Sequence, residues 1–582
     1  VAVEEEHTLT HAYRTRQNPL LPAPQGQGLN DLYVRFFRMA ERQIVESTTR
    51  GIVCFVSNYS WLDGLSHPGM RERYLTAFDQ IYIDSLNGDR FRTGKTTPDG
   101  LPDPSIFSTE FNREGIQVGT AVATLIRRGN HTSATTVQFR DLWGTGKRAQ
   151  LQAEAATLPS IAYEALKPAP EIGLPFLPRK IGTSYLTWAK LPELFPTSFP
   201  GVKTSRDDVL VDVDKARLES RMAQYFDPNL SHADLQRLAP GFMSDSARYN
   251  AQQVRDTLRR RGFLPNNVVR YAYRPFDVRW LYWEPETKLL DEKRPDYFSH
   301  VQPGNVWLVS QQKPRREWSM PQAIRSIGCL DLMDRSASCI PLYLYHAQTH
   351  GRADTAMPLE GRTPNLSDKA RAYLTTLGLT PDVGVEPLFY HALAVLHSPV
   401  YRFEHSGALR QDWPRVPLPT THEALLASAA LGREVAALLN VETPVPAVTQ
   451  GNPRDDLRSV AVLTTTDGKA PDFVGNAGWG RSQGGTVMPG RGRMAEAEGR
   501  VDVYLNDTTY WRGVPTEAWA YTLGGYQVLK KWLSYRETAV LGRPLQADEA
   551  REFMHICRRL TALLALTAAL DANYHRATGH HP

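Results

Sequence analysis

The stretch Gly51–Tyr74, GIVCFVSNYSWLDGLSHPGMRERY, decides how the first part of the chain is read. Its opening GIVCFVSN is too short for a helix and apolar on both parities, the pattern of a central strand in a sheet covered on both faces. Pro68 then sits at a helical first turn and starts PGMRERYLTAF. Upstream, LNDLYVRFFRMAERQIVE places Leu32, Phe36, Met39 or Ala40, and Gln43 or Ile44 along one side at helical spacing, with Asn30 or Asp31 as N-cap. Further strands are expected around Gln80–Leu86 and Gly119–Arg128. The sum is α/β architecture, a doubly wound sheet or a piece of one.

Ligands of such sheets bind beyond the carboxyl ends of the strands, where Asn58, Tyr59 and Trp61 fall. An amide and two ring systems could hold a flat heterocycle by stacking and edge hydrogen bonds. The alternative is that Tyr59 and Trp61 cover the sheet as ordinary core. Between the second and third strands runs a connection of unusual length, Asn87–Gly115, whose Arg90, Arg92 and Lys95 suit phosphate contacts.

Several chemistries lack their motifs. There is no GxGxxG, GxxxxGK[ST] or HExxH, and WGTGKR at Trp143–Arg148 lacks the upstream glycine and following hydroxyl of a phosphate loop. The four cysteines are dispersed without a CxxC pair, which points away from a disulfide framework or structural zinc, and no metal site is expected. The most apolar late stretch, TALLALTAAL, is shorter than the roughly 20 residues of a spanning helix. A cytoplasmic location without a membrane partner is expected.

Across the 582 residues the formal charge is +5, a mild basic balance. It is concentrated: residues 251–316 hold 13 Lys or Arg against 7 Asp or Glu, with aromatics interleaved in VVRYAYRPFDVRWLYWEPETKLLDEKRPDYF. Alternation at Arg270–Tyr273 and Val278–Tyr282 predicts short strands with basic and aromatic side chains on opposite faces. Arg270, Arg274 and Arg279 then become candidate contacts to a nucleic-acid backbone, and VSQQKPRREW adds Gln311, Gln312, Lys313, Arg315 and Arg316. The alternative is a structural network of Arg274 and Arg279 with Asp277 and Glu284. Arg402, Arg410, Lys530 and Lys531 are further candidates. The glycine-rich GNAGWGRSQGGTVMPGRGR reads as a mobile loop rather than an anion nest, and Ala547–Tyr574 as an amphipathic packing helix. Four segments follow: a sheet domain (1–130), a mostly helical connector (131–250), a recognition region (251–470) and a C-terminal part with a glycine-rich loop (471–582).

The phrases QGQGLNDLYVRFFRMAERQI, LNGDRFRTGK, DPSIFSTEFNREGIQVGTAVATLIRR, YRPFDVRWLYWEP, LVSQQKPRREW, AVLHSPVYRFEHSGALRQDWPRVPLP and WAYTLGGYQVLKKWLSYRE, in this order, resemble the methyltransferase and target-recognition parts of type ISP single-polypeptide restriction-modification enzymes. The resemblance implies a partial Rossmann-like methyltransferase sheet, a mixed α+β target-recognition region with a helical C-terminus, double-stranded DNA as partner, and adenine-N6 methylation with S-adenosylmethionine as cofactor. It also implies a nuclease and translocase upstream in complete members. The family's glycine motif and Asn-Pro-Pro-Tyr or Phe motif are expected before Gly51, and neither is present. Asn18 and Pro19 lack the second proline and aromatic. No catalytic residue is therefore assigned, and the expectation is a portion that recognises DNA but does not methylate alone. The alternative is a non-catalytic specificity subunit working with a separate catalytic partner.

Overall fold

The computed structural model describes residues 9–579 except 158–159, 180, 183, 313, 315–316, 335–336, 347–360 and 484–485. The chain divides into two units, Val1–Leu186 with His405–Asp412, and Thr187–Glu404 with Trp413–Pro582.

The first unit is built from α1 (Leu32–Arg42), β1 (Gly51–Asn58), α2 (Pro68–Ala77), β2 (Gln80–Asn87), β3 (Thr120–Arg127), β4 (Val137–Asp141), α3 (Lys147–Thr157) and β5 (Glu164–Leu166). The sheet order is β1-β3-β2-β4-β5, and only β2 and β4 run parallel. This is a mixed sheet. Because β4 and β5 extend it, the first unit runs well past residue 130, and the expected connector is split between the two units.

Two expectations reverse. β1 is an edge strand: Val53 enters the core, but Ile52 and Val56 stay 63% and 54% exposed. On α1, Leu32, Phe36 and Met39 face outward, while Val34, Phe37, Arg38 and Glu41 are buried. The cause is a buried polar network. Arg38 pairs with Glu41 at 2.9 Å and the Tyr13 hydroxyl donates to Glu41 at 2.6 Å, so the inner side of the helix carries charge that an apolar count assigns to solvent.

Two buried carboxylates order the long connection after β2. Asp89 accepts the amides of Phe91, Arg92 and Gly119 at 2.6, 2.7 and 2.9 Å. Asp103 accepts from the amides of Gly88 and Gly144 and from Lys147 Nζ at 2.7, 2.8 and 2.7 Å. The WGTGKR loop thus grips a carboxylate of its own chain. Asn18 likewise serves a turn, its side chain accepting from the Leu20 amide.

Among the described residues the second unit holds three four-stranded sheets. With β6 (Phe199–Pro200), β7 (Val211–Asp212), β8 (Val268–Arg274), β9 (Asp277–Tyr282), β10 (Trp307–Ser310), β11 (Gln322–Ile324), β12 (Ile327–Gly328) and β13 (Ser338–Pro341), two of them run β12-β8-β9-β7 and β11-β10-β13-β6. The third is β14-β19-β18-β17, from β14 (Val462–Thr465), β17 (Met494–Ala497), β18 (Arg500–Tyr504) and β19 (Thr509–Pro515). The glycine-rich stretch before β17 is not an irregular loop but a hairpin, β15 (Gly480–Gln483) with β16 (Thr486–Pro489).

Helices α4 (Pro381–Leu396) and α5 (His422–Leu439) pack so closely that a Cβ on Gly432 would sit 1.9 Å from the Tyr390 carbonyl oxygen. Only glycine permits that approach. After α6 (Val528–Ser534), the C-terminus is two helices, α7 (Ala547–Ala565) and α8 (Thr567–Thr578), bent by 42°. Among the described residues no single helix is long and apolar enough to cross a membrane.

Candidate nucleic-acid interface

β8 and β9 contain the predicted short strands and pair as a hairpin, turning at Phe276 in a left-handed conformation (φ 59°). Alternation along β8 sends Tyr271 and Tyr273 into the core and leaves Arg270 and Arg274 half-buried on the other side. Arg274 faces a cleft of about 1080 Å³ within the second unit, together with Tyr273, Arg206, Arg248, Lys531 and Tyr535.

Cations and rings alternate around this cleft. The Arg274 guanidinium lies 4.0 Å from the Tyr273 ring centre, and Arg206 lies 3.4 Å from that of Tyr249. Lys531, on α6, reaches Tyr535 and Tyr526 at 4.6 and 5.6 Å. Burial opposes ionisation of the Tyr535 hydroxyl, yet Arg274, Lys531 and Arg279 together hold it below the usual phenol range. That direction records a local excess of positive charge.

Carboxylates also line the cleft, and most are engaged. Asp207 accepts from the Tyr273 hydroxyl at 2.8 Å, Asp291 pairs with Lys203 at 3.1 Å, and Asp331 stands 4.0 Å from Arg274. Among the described residues neither Arg248 nor Lys531 has a carboxylate partner. An anion entering the cleft would meet these two cations first. The rim also includes Thr486 and Val487 of β16, so the β15–β16 hairpin borders the same space. A two-stranded ribbon of this kind is narrow enough for a major groove.

The other sequence candidates are dispersed. Arg279 donates to Asp277 at 2.7 Å and stacks on Tyr273 and Tyr535, while Asp277 also accepts from Arg536 at 2.9 Å. This is the structural network weighed for Arg279, although Glu284 pairs with Arg261 instead of Arg274. Arg270 pairs with Glu442 at 2.6 Å and covers Trp280. Gln311 is buried, its amide donating to the Met333 carbonyl, and Gln312 is half-buried. Lys313, Arg315 and Arg316 lie outside the described residues. Arg402 lines a separate pocket of about 230 Å³, and Lys530 is half-buried on α6.

In the first unit, Arg90 and Lys95 both approach Glu114, at 3.4 and 3.6 Å, and Arg92 grips Asp63. Trp61 is fully buried among Phe37, Tyr74 and Phe176, a core position with no face open to a base. Tyr59 is 4% exposed beneath the Arg92 guanidinium, and Asn58 caps the turn that follows β1 by accepting from the Ser60 amide.

Sequence reasoning missed Lys203, Arg206, Arg248 and Tyr249. They come from the stretch read as connector, where VKTSRDD and SARYN show neither periodicity nor charge runs. Only the fold brings them beside β8.

The profile of the Type ISP C-terminal specificity domain matches residues 193–557, a range that contains every residue lining the cleft. A search of curated proteins finds no match. Solved structures similar to the chain include a cryo-EM DrdV–DNA complex (20% identity, TM-score 0.61), covering 100% of this chain and 55% of that one. The ATP-dependent Type ISP restriction-modification enzyme LlaBIII bound to DNA is 16% identical with TM-score 0.63, covering 99% and 36%. A nuclease-deletion mutant of the Type ISP enzyme LlaGI with a DNA substrate mimic is 15% identical with TM-score 0.60, covering 97% and 49%. The chain thus spans between about a third and just over half of the chains it resembles.

Proposed function

From the premise that the chain belongs to the Type ISP C-terminal specificity domain family, we propose that it recognises a duplex DNA sequence as the specificity portion of a restriction-modification enzyme. The observation that carries this reading is the coincidence of the family match with the cleft: the matched residues hold a ring of tyrosines and cations, of which Arg248 and Lys531, among others, have no carboxylate partner among the described residues. Phosphates would neutralise Arg248 and Lys531, with Arg274 held in place by Tyr273. The β15–β16 hairpin would lie against base edges. The three similar structures are DNA complexes, which supports DNA as the partner.

Adenine-N6 methylation with S-adenosylmethionine is the finer reading for the first unit, as part of a Rossmann-like methyltransferase fold. The first unit carries no glycine motif for that cofactor. Three glycines near β1 and α2 are closed by the chain's own atoms: a Cβ on Gly119 would meet the Tyr59 ring at 2.3 Å, on Gly64 the Ser60 carbonyl at 2.4 Å, and on Gly69 the Tyr13 carbonyl at 2.4 Å. The exposed edge and apolar side of β1, with Leu32, Phe36 and Met39 on α1 also exposed, support a sheet completed by a partner polypeptide. The same feature supports the second reading, a non-catalytic specificity subunit with a separate catalytic partner.

Duplex libraries bound to the full chain and sequenced should enrich one motif, with affinity falling steeply as salt rises. Equal retention of all sequences would refute the specificity reading. Transfer of a labelled methyl group by the chain alone would refute the claim that its methyltransferase portion is incomplete.

A further inference from the structure

A cluster of positive charge in the first unit lies around a single carboxylate. Asp63, 3% exposed, accepts two hydrogen bonds from Arg92 at 3.0 and 2.8 Å and another from Arg179. Arg410, from the returning segment His405–Asp412, sits in the same group and interacts electrostatically with Arg92, Asp63 and Arg179. Its guanidinium makes no hydrogen bond among the described residues. The Arg179 Nε is buried and also lacks a partner.

Neighbouring charges do not cancel the excess. Arg71 is fully buried and donates to the carbonyls of Trp61, Gly64 and Gly173. Asp89 is the other carboxylate near Arg92, and its oxygens already accept three backbone amides. His67 stays neutral, since burial and then Arg71 push it down to about 3. Four guanidiniums thus face two carboxylates, and Arg92 remains 25% exposed.

We infer that Arg92, Arg179 and Arg410 form a second anion site that takes one phosphate group of a nucleic-acid strand. The guanidinium fork matches phosphate oxygens, and Asp63 holds two of the three forks in place before any ligand arrives. Arg410 supplies the free donors. This site deepens the DNA-binding reading and rests on it for the identity of the strand.

The test uses the full chain and a duplex of its enriched sequence, with affinity measured by fluorescence anisotropy over a range of salt. For Arg410→Gln and Arg179→Gln, alone or combined, the slope of log K against log salt should shrink by up to about 0.9, the one phosphate contact that they share. Asp63→Asn, which keeps an acceptor but removes a negative charge, should bind more tightly than wild type. Unchanged affinity and slope in folded variants would overturn the site, and so would weaker binding in Asp63→Asn with an unaltered slope.

A second arm separates the source of the phosphate. If inorganic phosphate raises the melting temperature of wild type but not of Arg410→Gln while both share one duplex slope, the site takes free phosphate and the nucleic-acid assignment fails. If wild type binds no duplex at all, the DNA-binding reading fails first. The phosphate-dependent melting shift then decides by itself whether an anion site exists.

Discussion

Asp277 in the second unit and Asp63 in the first are both carboxylates shut away from solvent and gripped by two arginines. Around Asp277, Arg279 and Arg536 spend their charge inward: Arg279 lies on Tyr273 and Tyr535, and Arg536 lies 4.1 Å from the Trp532 ring centre. The paired side chains are 12% and 3% exposed. Around Asp63 a third arginine joins, one of the bonded pair keeps a quarter of its surface, and no aromatic ring covers Arg410 among the described residues. Similar composition thus yields a structural clamp in one place and an unspent positive field in the other. Whether an arginine is available to a ligand depends on what closes its remaining donors, and that is a tertiary property.

The largest effect that sharpens this contrast is on stability. Asp277→Ala strands two enclosed guanidiniums and should cost about 3–5 kcal/mol, read as a lowered denaturant midpoint. Asp63→Ala should cost less, because Arg92 can take up water. Equal losses would break the comparison.

Glu552 lies beside the Asp277 clamp, and burial pushes its carboxyl up to about 7, with Asp277 and Glu549 adding to burial and Arg536 opposing it. The folded protein then keeps a proton that the unfolded chain releases near 4.5. Stability should fall as pH rises from that value to about 7 and level off above it. Glu552→Gln should abolish the decline, gaining at most about 3 kcal/mol at high pH. Parallel pH–stability curves for variant and wild type would show that the carboxyl does not titrate in this window.

The smallest effect is at Arg270, whose partner Glu442 is 29% exposed. Arg270→Ala should change stability by less than about 1 kcal/mol and leave the salt slope of duplex binding unaltered. A reduced slope would return Arg270 to the interface.

Local pattern revealed the elements well. The strands near Gln80–Leu86 and Gly119–Arg128 and the short strands at Arg270–Tyr273 and Val278–Tyr282 stand where periodicity and turn residues put them. What faces what was less legible. GIVCFVSN reads as a central strand because both parities are apolar, but an uncovered edge strand produces the same letters. On α1 the inner side is charged, since Arg38 and Glu41 satisfy each other, and a periodicity count cannot see partners. At the cleft, Arg274 and Lys531 were visible as cations near aromatics, whereas Arg206 and Arg248 arrive from segments with no pattern of their own.

The central claim is that the cleft beside β8 binds duplex phosphates through Arg248 and Lys531. Its most direct test is the salt dependence of duplex affinity for wild type and for Arg248→Gln with Lys531→Gln. The account predicts a steep wild-type slope that falls by about 1.8 in the double variant while its melting temperature holds. An unchanged slope in a folded double variant would contradict it.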